Sequence, residues 1–156
     1  MALRLVLATE LPAEVTQALL EQALIVTQQQ AHIERVGQLS FAVVDEAVSR
    51  SLNKQFADND YATDVLSFDY FEGSVDSPTK DDVVGEIVIC LPIAQNQAAE
   101  HEVELADEII MLFVHGTLHI LGHDHHEDEA GFQALQDGIM NKLKRKSRNI
   151  FNGNLH

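Results

Sequence analysis

Five of the eight histidines fall in one short run, His115-Gly-Thr-Leu-His119-Ile-Leu-Gly-His123-Asp-His125-His126. His115 and His119 are four residues apart. On a helix that spacing puts both imidazoles on one face, about one turn apart, which is the ligand pair of helical zinc sites. Gly122 suits the left-handed conformation that ends a helix. The chain can therefore turn there and carry His125 back to the same point. Three neutral imidazoles suit zinc and leave a fourth position for water, the pattern of a catalytic rather than a structural site. Other divalent ions that favour histidine remain open. The expectation is one zinc-like ion on His115, His119 and His125. His123 and His126 read as solvent-facing neighbours. Asp124 reads as the group that orients a histidine from behind. The general base stays open; Asp124 and Glu127 lie near the third ligand in sequence.

These residues need a scaffold. The histidines continue an apolar stretch, Ile109, Ile110, Leu112, Phe113, Val114, Leu118, Ile120 and Leu121, which predicts a buried helix over 105–121. Upstream, 4–8, 39–44, 64–70 and 83–91 read as strands. Helices are expected from Pro12 to about Gln30, after Asp45 as cap, and from Pro92. A last helix is expected from Glu127 to about Arg145. Residues 73–82 read as a loop between two strands that pair as a long hairpin or less directly. The fold class is therefore α+β, a small mixed four-stranded sheet packed with about five helices. Residues 1–156 read as a single domain, with 142–156 as a basic tail.

The net charge of -15 argues against simple electrostatic binding of nucleic acid. The charges are unevenly placed, however. No acid follows Asp137, whereas Lys142, Lys144, Arg145, Lys146 and Arg148 crowd the end. That run reads either as cations matching the dipole of the last helix or as a tail contacting phosphates. The acids in 58–86 and 100–108 read either as a solvated face or as a docking surface for a basic protein. Cys90 is the only cysteine, so no intramolecular disulfide forms. The N-terminus lacks the features of a signal peptide, and no apolar run reaches the roughly 18 residues of a membrane span. A cytoplasmic protein without a membrane partner is expected. Its oligomeric state is not legible.

The run HGTLHILGHDH resembles the signature of the YbeY family, metal-dependent endoribonucleases of bacterial ribosomal RNA maturation. Ser40 to Asn53 (SFAVVDEAVSRSLN), Asp60 to Phe68 (DYATDVLSF) and Gly85 to Cys90 (GEIVIC) are similar to the family's other blocks, in the family's order, and Asp64 and Ser67 of the second join Asp124 and Glu127 as candidates for the general base. The resemblance implies an α+β fold, a zinc-like ion on His115, His119 and His125, and hydrolysis of single-stranded RNA in ribosome biogenesis. Some positions depart from the pattern. Ala57 stands where the family carries an arginine, expected to hold a phosphate or stabilise transition-state charge. Lys54 can replace it only if its helix presents it to the same cleft. Glu86 stands for an aspartate, Cys90 for a frequent serine and His123 for a tyrosine.

Two other functions compete. His115 and His119 share the spacing of the metallopeptidase pattern H-E-x-x-H, but Gly116 occupies the place of its glutamate base. Alternatively the metal is structural and the chain is a non-catalytic ribosome-assembly factor, a reading that Ala57 and the acidic balance favour.

Overall fold

The computed structural model describes residues 2–72, 74–123 and 128–148. Among them the order is β1 (Leu3–Leu7), α1 (Gln17–Ala31), β2 (Gly37–Val44), α2 (Glu46–Ala57), β3 (Val65–Asp69), β4 (Val83–Cys90), α3 (Leu91–Glu100), α4 (Leu105–Ile120) and α5 (Glu129–Lys142). This is the expected α+β architecture. The sheet order is β1-β2-β4-β3. The first three strands run parallel, and β3 runs antiparallel to β4. Of the two pairings left open by the sequence, β3 and β4 thus adopt the direct one.

Alternation along the strands sets the layers. Leu39, Phe41, Val65, Ile87 and Ile89 are buried on one face, the side on which α4 packs. The other face carries Ser40, Glu86 and Phe68, which lie in one row across three strands. On that side α2 places Phe56 against Phe68, ring centroids 5.4 Å apart.

Helix α4 is the element the fold is built around. All its residues except Leu105 and His119 are buried, as expected of a helix that is apolar nearly all round. Phe113 meets Phe41 edge to face at 5.4 Å, and each fully buried large apolar side chain stabilises by about 1.5–3 kcal/mol. Two glycines let α4 approach the sheet. A Cβ at Gly116 would stand 2.7 Å from Ser67 Oγ, and one at Gly85 would stand 2.9 Å from Ile120 Cδ1.

Capping places the boundaries. Asp45 caps α2 as expected, accepting from Val48 N–H at 2.9 Å. Pro12, however, does not open α1. Its carbonyl closes a turn with Val15 N–H, and Thr16 caps the helix by accepting from Leu19 N–H at 3.1 Å; a hydroxyl that satisfies an orphan amide outweighs a proline's preset φ. The last helix ends at Lys142, short of the expected Arg145. Lys144 turns left-handed, with φ 57°, and the N–H groups of Lys144 and Arg145 bond back to the carbonyls of Asn141 and Met140. That is a Schellman stop built without glycine. No helix among the described residues is long and apolar enough to cross a membrane.

Candidate metal centre on the buried helix

His115 and His119 come together on α4 as their spacing demands. Their Nε2 atoms are 3.2 Å apart. Two nitrogens each at the zinc–imidazole distance from one tetrahedral ion stand about 3.3 Å apart, so the pair fits a shared ion. Without an ion, one ring donates to the other. His115 is completely buried, while His119 is partly exposed. The pair thus has a buried side and an open side.

Phe132 of α5 closes one flank. Its ring centroid lies 5.2 Å from that of His115 and 5.4 Å from that of His119. Beyond His119 the helix stops as Gly122 requires, with φ 98°. The N–H of Gly122 bonds to the carbonyl of His119, and that of His123 to the carbonyl of Leu118. The chain therefore leaves the helix at a fixed point just beyond His119. His123 Nε2 is buried and has no hydrogen-bond partner among the described residues, so His123 is not the freely solvated neighbour expected.

Asp124, His125, His126 and Glu127 lie outside the described residues. Among the described residues no group of three or more His, Cys, Asp or Glu forms a metal-holding cluster. Of the strand candidates, Ser67 faces α4 at Gly116, next to His115 in sequence. Asp64 is different. It is buried at the start of β3, where its Oδ1 accepts from Val65 N–H at 2.8 Å and from the Thr63 hydroxyl at 3.2 Å. Ser67 stands three positions further along the chain, about 10 Å when extended.

Ala57 ends α2 and is exposed. Lys54, its possible substitute, points its ammonium toward Asp60, 4.0 Å away. It shares that acid with Arg50, whose Nε donates to Asp60 Oδ1 at 2.7 Å. The Asp60 carboxyl is held below its ordinary value by that hydrogen bond. Across the row on the same sheet face, Glu86 accepts from the Ser40 hydroxyl at 3.0 Å and the Tyr70 hydroxyl at 3.1 Å. Burial, then the Glu86 charge, pushes the Tyr70 phenol up. Burial likewise pushes the Cys90 thiol up, which makes it a poor nucleophile.

The basic run fits neither expected role in full. Lys142 does lie in the last turn of α5. Arg145, in contrast, pairs with Asp107 at 3.3 Å. Arg148 donates from Nε to Glu108 Oε1 at 2.9 Å, and from Nη2 to Glu108 Oε2 and Gln97 Oε1, both at 3.2 Å. Two of the five cations are thus turned inward. Phe132 and the Arg148–Glu108 pair are the parts of this region that the sequence did not disclose. The available signal was a pair of acids, Asp107 and Glu108, on an otherwise largely apolar helix, Glu108 standing seven residues before His115.

The family model for "Endoribonuclease YbeY" matches residues 7–144. The Endoribonuclease YbeY of Ureaplasma parvum serovar 3 is 41% identical over 109 residues, 69% of this chain and 67% of that protein. That of Macrococcus caseolyticus is 36% identical over 126 residues, 78% of this chain and 82% of that protein. The solution structure of TM1509 from Thermotoga maritima is similar at a TM-score of 0.61 and 26% identity, covering 90% of this chain and 88% of that one. With the match running from the end of the first strand through the last helix, this protein belongs to the Endoribonuclease YbeY family.

Proposed function

We propose that this chain is a metal-dependent endoribonuclease that cuts single-stranded RNA during ribosomal RNA maturation, using one zinc-like ion on His115, His119 and His125. The observation that carries the proposal is the 3.2 Å approach of the His115 and His119 Nε2 atoms on a helix that is otherwise core. Buried imidazoles need partners, and two nitrogens at ligand spacing supply a reason for these to be there. Family membership supports the RNA substrate: the relatives are named endoribonucleases. His125 lies outside the described residues and enters the ligand set through the family's histidine spacing alone.

An ion held there supplies an acidified water and a positive charge for a phosphoryl oxygen. The chain's own residues do the rest. His115 is fixed by burial, and partly exposed His119 marks the side from which RNA approaches. Phe132 keeps water from one flank of both rings. Asp124 is assigned to orienting a histidine. Lys142, Lys144 and Lys146 are exposed and are the tail cations left to meet phosphate. The exposed acids of 58–86 and 100–104 offer a docking face to a basic ribosomal protein, Asp107 and Glu108 being buried and taken by Arg145 and Arg148, and a cytoplasmic site of action follows from the ribosomal substrate.

A second reading rests on Ala57 and on Lys54 facing Asp60: a metal-stabilised assembly factor that binds RNA without cutting it. The peptidase reading loses support, because position 116 is pressed against Ser67 and Ile87 and has no room for a glutamate. The test is to incubate zinc-loaded protein, beside His119→Ala, with a single-stranded ribosomal RNA fragment. Cleavage by the first alone supports the nuclease. Metal binding without cleavage supports the assembly factor, and an active, metal-loaded His119→Ala would sink both assignments of the site.

A further inference from the structure

Residues 143–148, which follow α5, fold back along that helix. The Gln133 side-chain amide donates to the Arg148 carbonyl at 3.1 Å, and the Ser147 hydroxyl donates to Asp137 Oδ1 at 2.7 Å. Residue 148 therefore sits beside the first turns of α5, one residue from Phe132. From there its guanidinium enters the interior and grips Glu108 with two nitrogens. The side chains of Arg148 and Glu108 are 9% and 0% exposed. Glu108 is seven residues before His115, which places it on the same face of α4, about 10 Å along the axis.

A buried bidentate pair of this kind is a poor way to add net stability, since apolar residues of the same volume do as well or better. What it does supply is a fixed relative position. Here it ties three elements together: α4 through Glu108, α3 through Gln97, and α5 through the Arg148 carbonyl. The residue of α5 next to that tie touches both imidazoles.

We propose that Arg148 is a positioning residue for the histidine pair: its clamp on Glu108 and Gln97 holds the returning 143–148 segment against α5 and so fixes Phe132 on His115 and His119. The proposal rests on the reading of that pair as a metal site, but one of its readouts does not.

The experiment compares wild type, Arg148→Met, Phe132→Leu and the double variant. The zinc dissociation constant is measured by chelator competition, and the imidazole proton–carbon signals of His115 and His119 are followed by NMR in metal-free protein. Arg148→Met is expected to weaken zinc binding about tenfold, within the range of mutations that act through intervening contacts. It should also shift the imidazole signals of both histidines while the amide spectrum stays dispersed. In the Phe132→Leu background the same substitution should add little, because the effect passes through that ring. Unmoved imidazole signals in a folded Arg148→Met protein overturn the proposal, as do effects of the two substitutions that simply multiply. Should Arg148→Met fail to fold with Glu108 left buried, a chain ending at Lys146 lets water reach that carboxylate and gives the same readouts. If wild type binds no zinc, the metal reading falls, and the imidazole signals alone decide the role of Arg148.

Discussion

The two ends of α4 bury polar groups for opposite reasons. At its start, Asp107 and Glu108 are answered by Arg145 and Arg148, charge to charge and with directed hydrogen bonds. At its end, His115 and His119 turn their nitrogens on each other at 3.2 Å, under the ring of Phe132. A buried acid matched by an arginine is complete within the protein and reports on architecture. Two imidazoles set nitrogen to nitrogen at that distance match the spacing of two ligands on one ion, and the proposed metal site rests on that match. Burial alone therefore does not separate the two ends; the chemistry of what each buried group faces does.

That contrast predicts different readouts for the two ends. Glu108→Ala strands the Arg148 guanidinium in the interior and should lower unfolding free energy by about 3–5 kcal/mol, measured by urea denaturation. A loss under about 1 kcal/mol would show that the acid end is not structural. His115→Ala should weaken zinc binding by more than about 100-fold, beyond the usual cost of removing a group behind a ligand. Isothermal titration checks this, and retained affinity would remove the distinction between the ends. Gly116→Ala sits between them. Its Cβ would stand 2.7 Å from Ser67 Oγ, so overpacking should cost about 1–3 kcal/mol, partly recovered by adding Ser67→Gly.

The smallest effect belongs to a charge pair away from both ends. Asp60 has its carboxyl lowered by Arg50, so the pair stabilises above the unfolded value near 3.8 and that contribution fades as pH falls through the lowered folded value. Both side chains are exposed, so in about 1 M salt the melting curves of wild type and Asp60→Asn should coincide. A difference that survives salt would mean that the loop after α2 depends on this pair.

Much of this arrangement was legible in the residues. The four strands follow from alternation and β-branched runs, and α4 follows from its apolar length. The His115–His119 pair follows from spacing, and the helix stop follows from Gly122, because each depends on contacts within a turn or a strand. Where local signals competed, the reading slipped. Pro12 drew the start of α1 away from Thr16, and the basic run drew α5 past Lys142, since a left-handed lysine leaves no mark in composition. The third ligand, His125, and its companion Asp124 lie outside the described residues and rest on the proposal.

What the sequence determined by itself was chemistry of short range: which residue types stand at ligand spacing, where helices are capped, and which faces are apolar. What only the tertiary structure decided was which distant groups meet. Phe132 roofs imidazoles that precede it by 17 and 13 residues, and Arg148 crosses 40 residues to reach Glu108. Neither contact has a local signature, because packing in a closed interior depends on the path of the whole chain, whereas helical spacing depends only on the backbone between two residues.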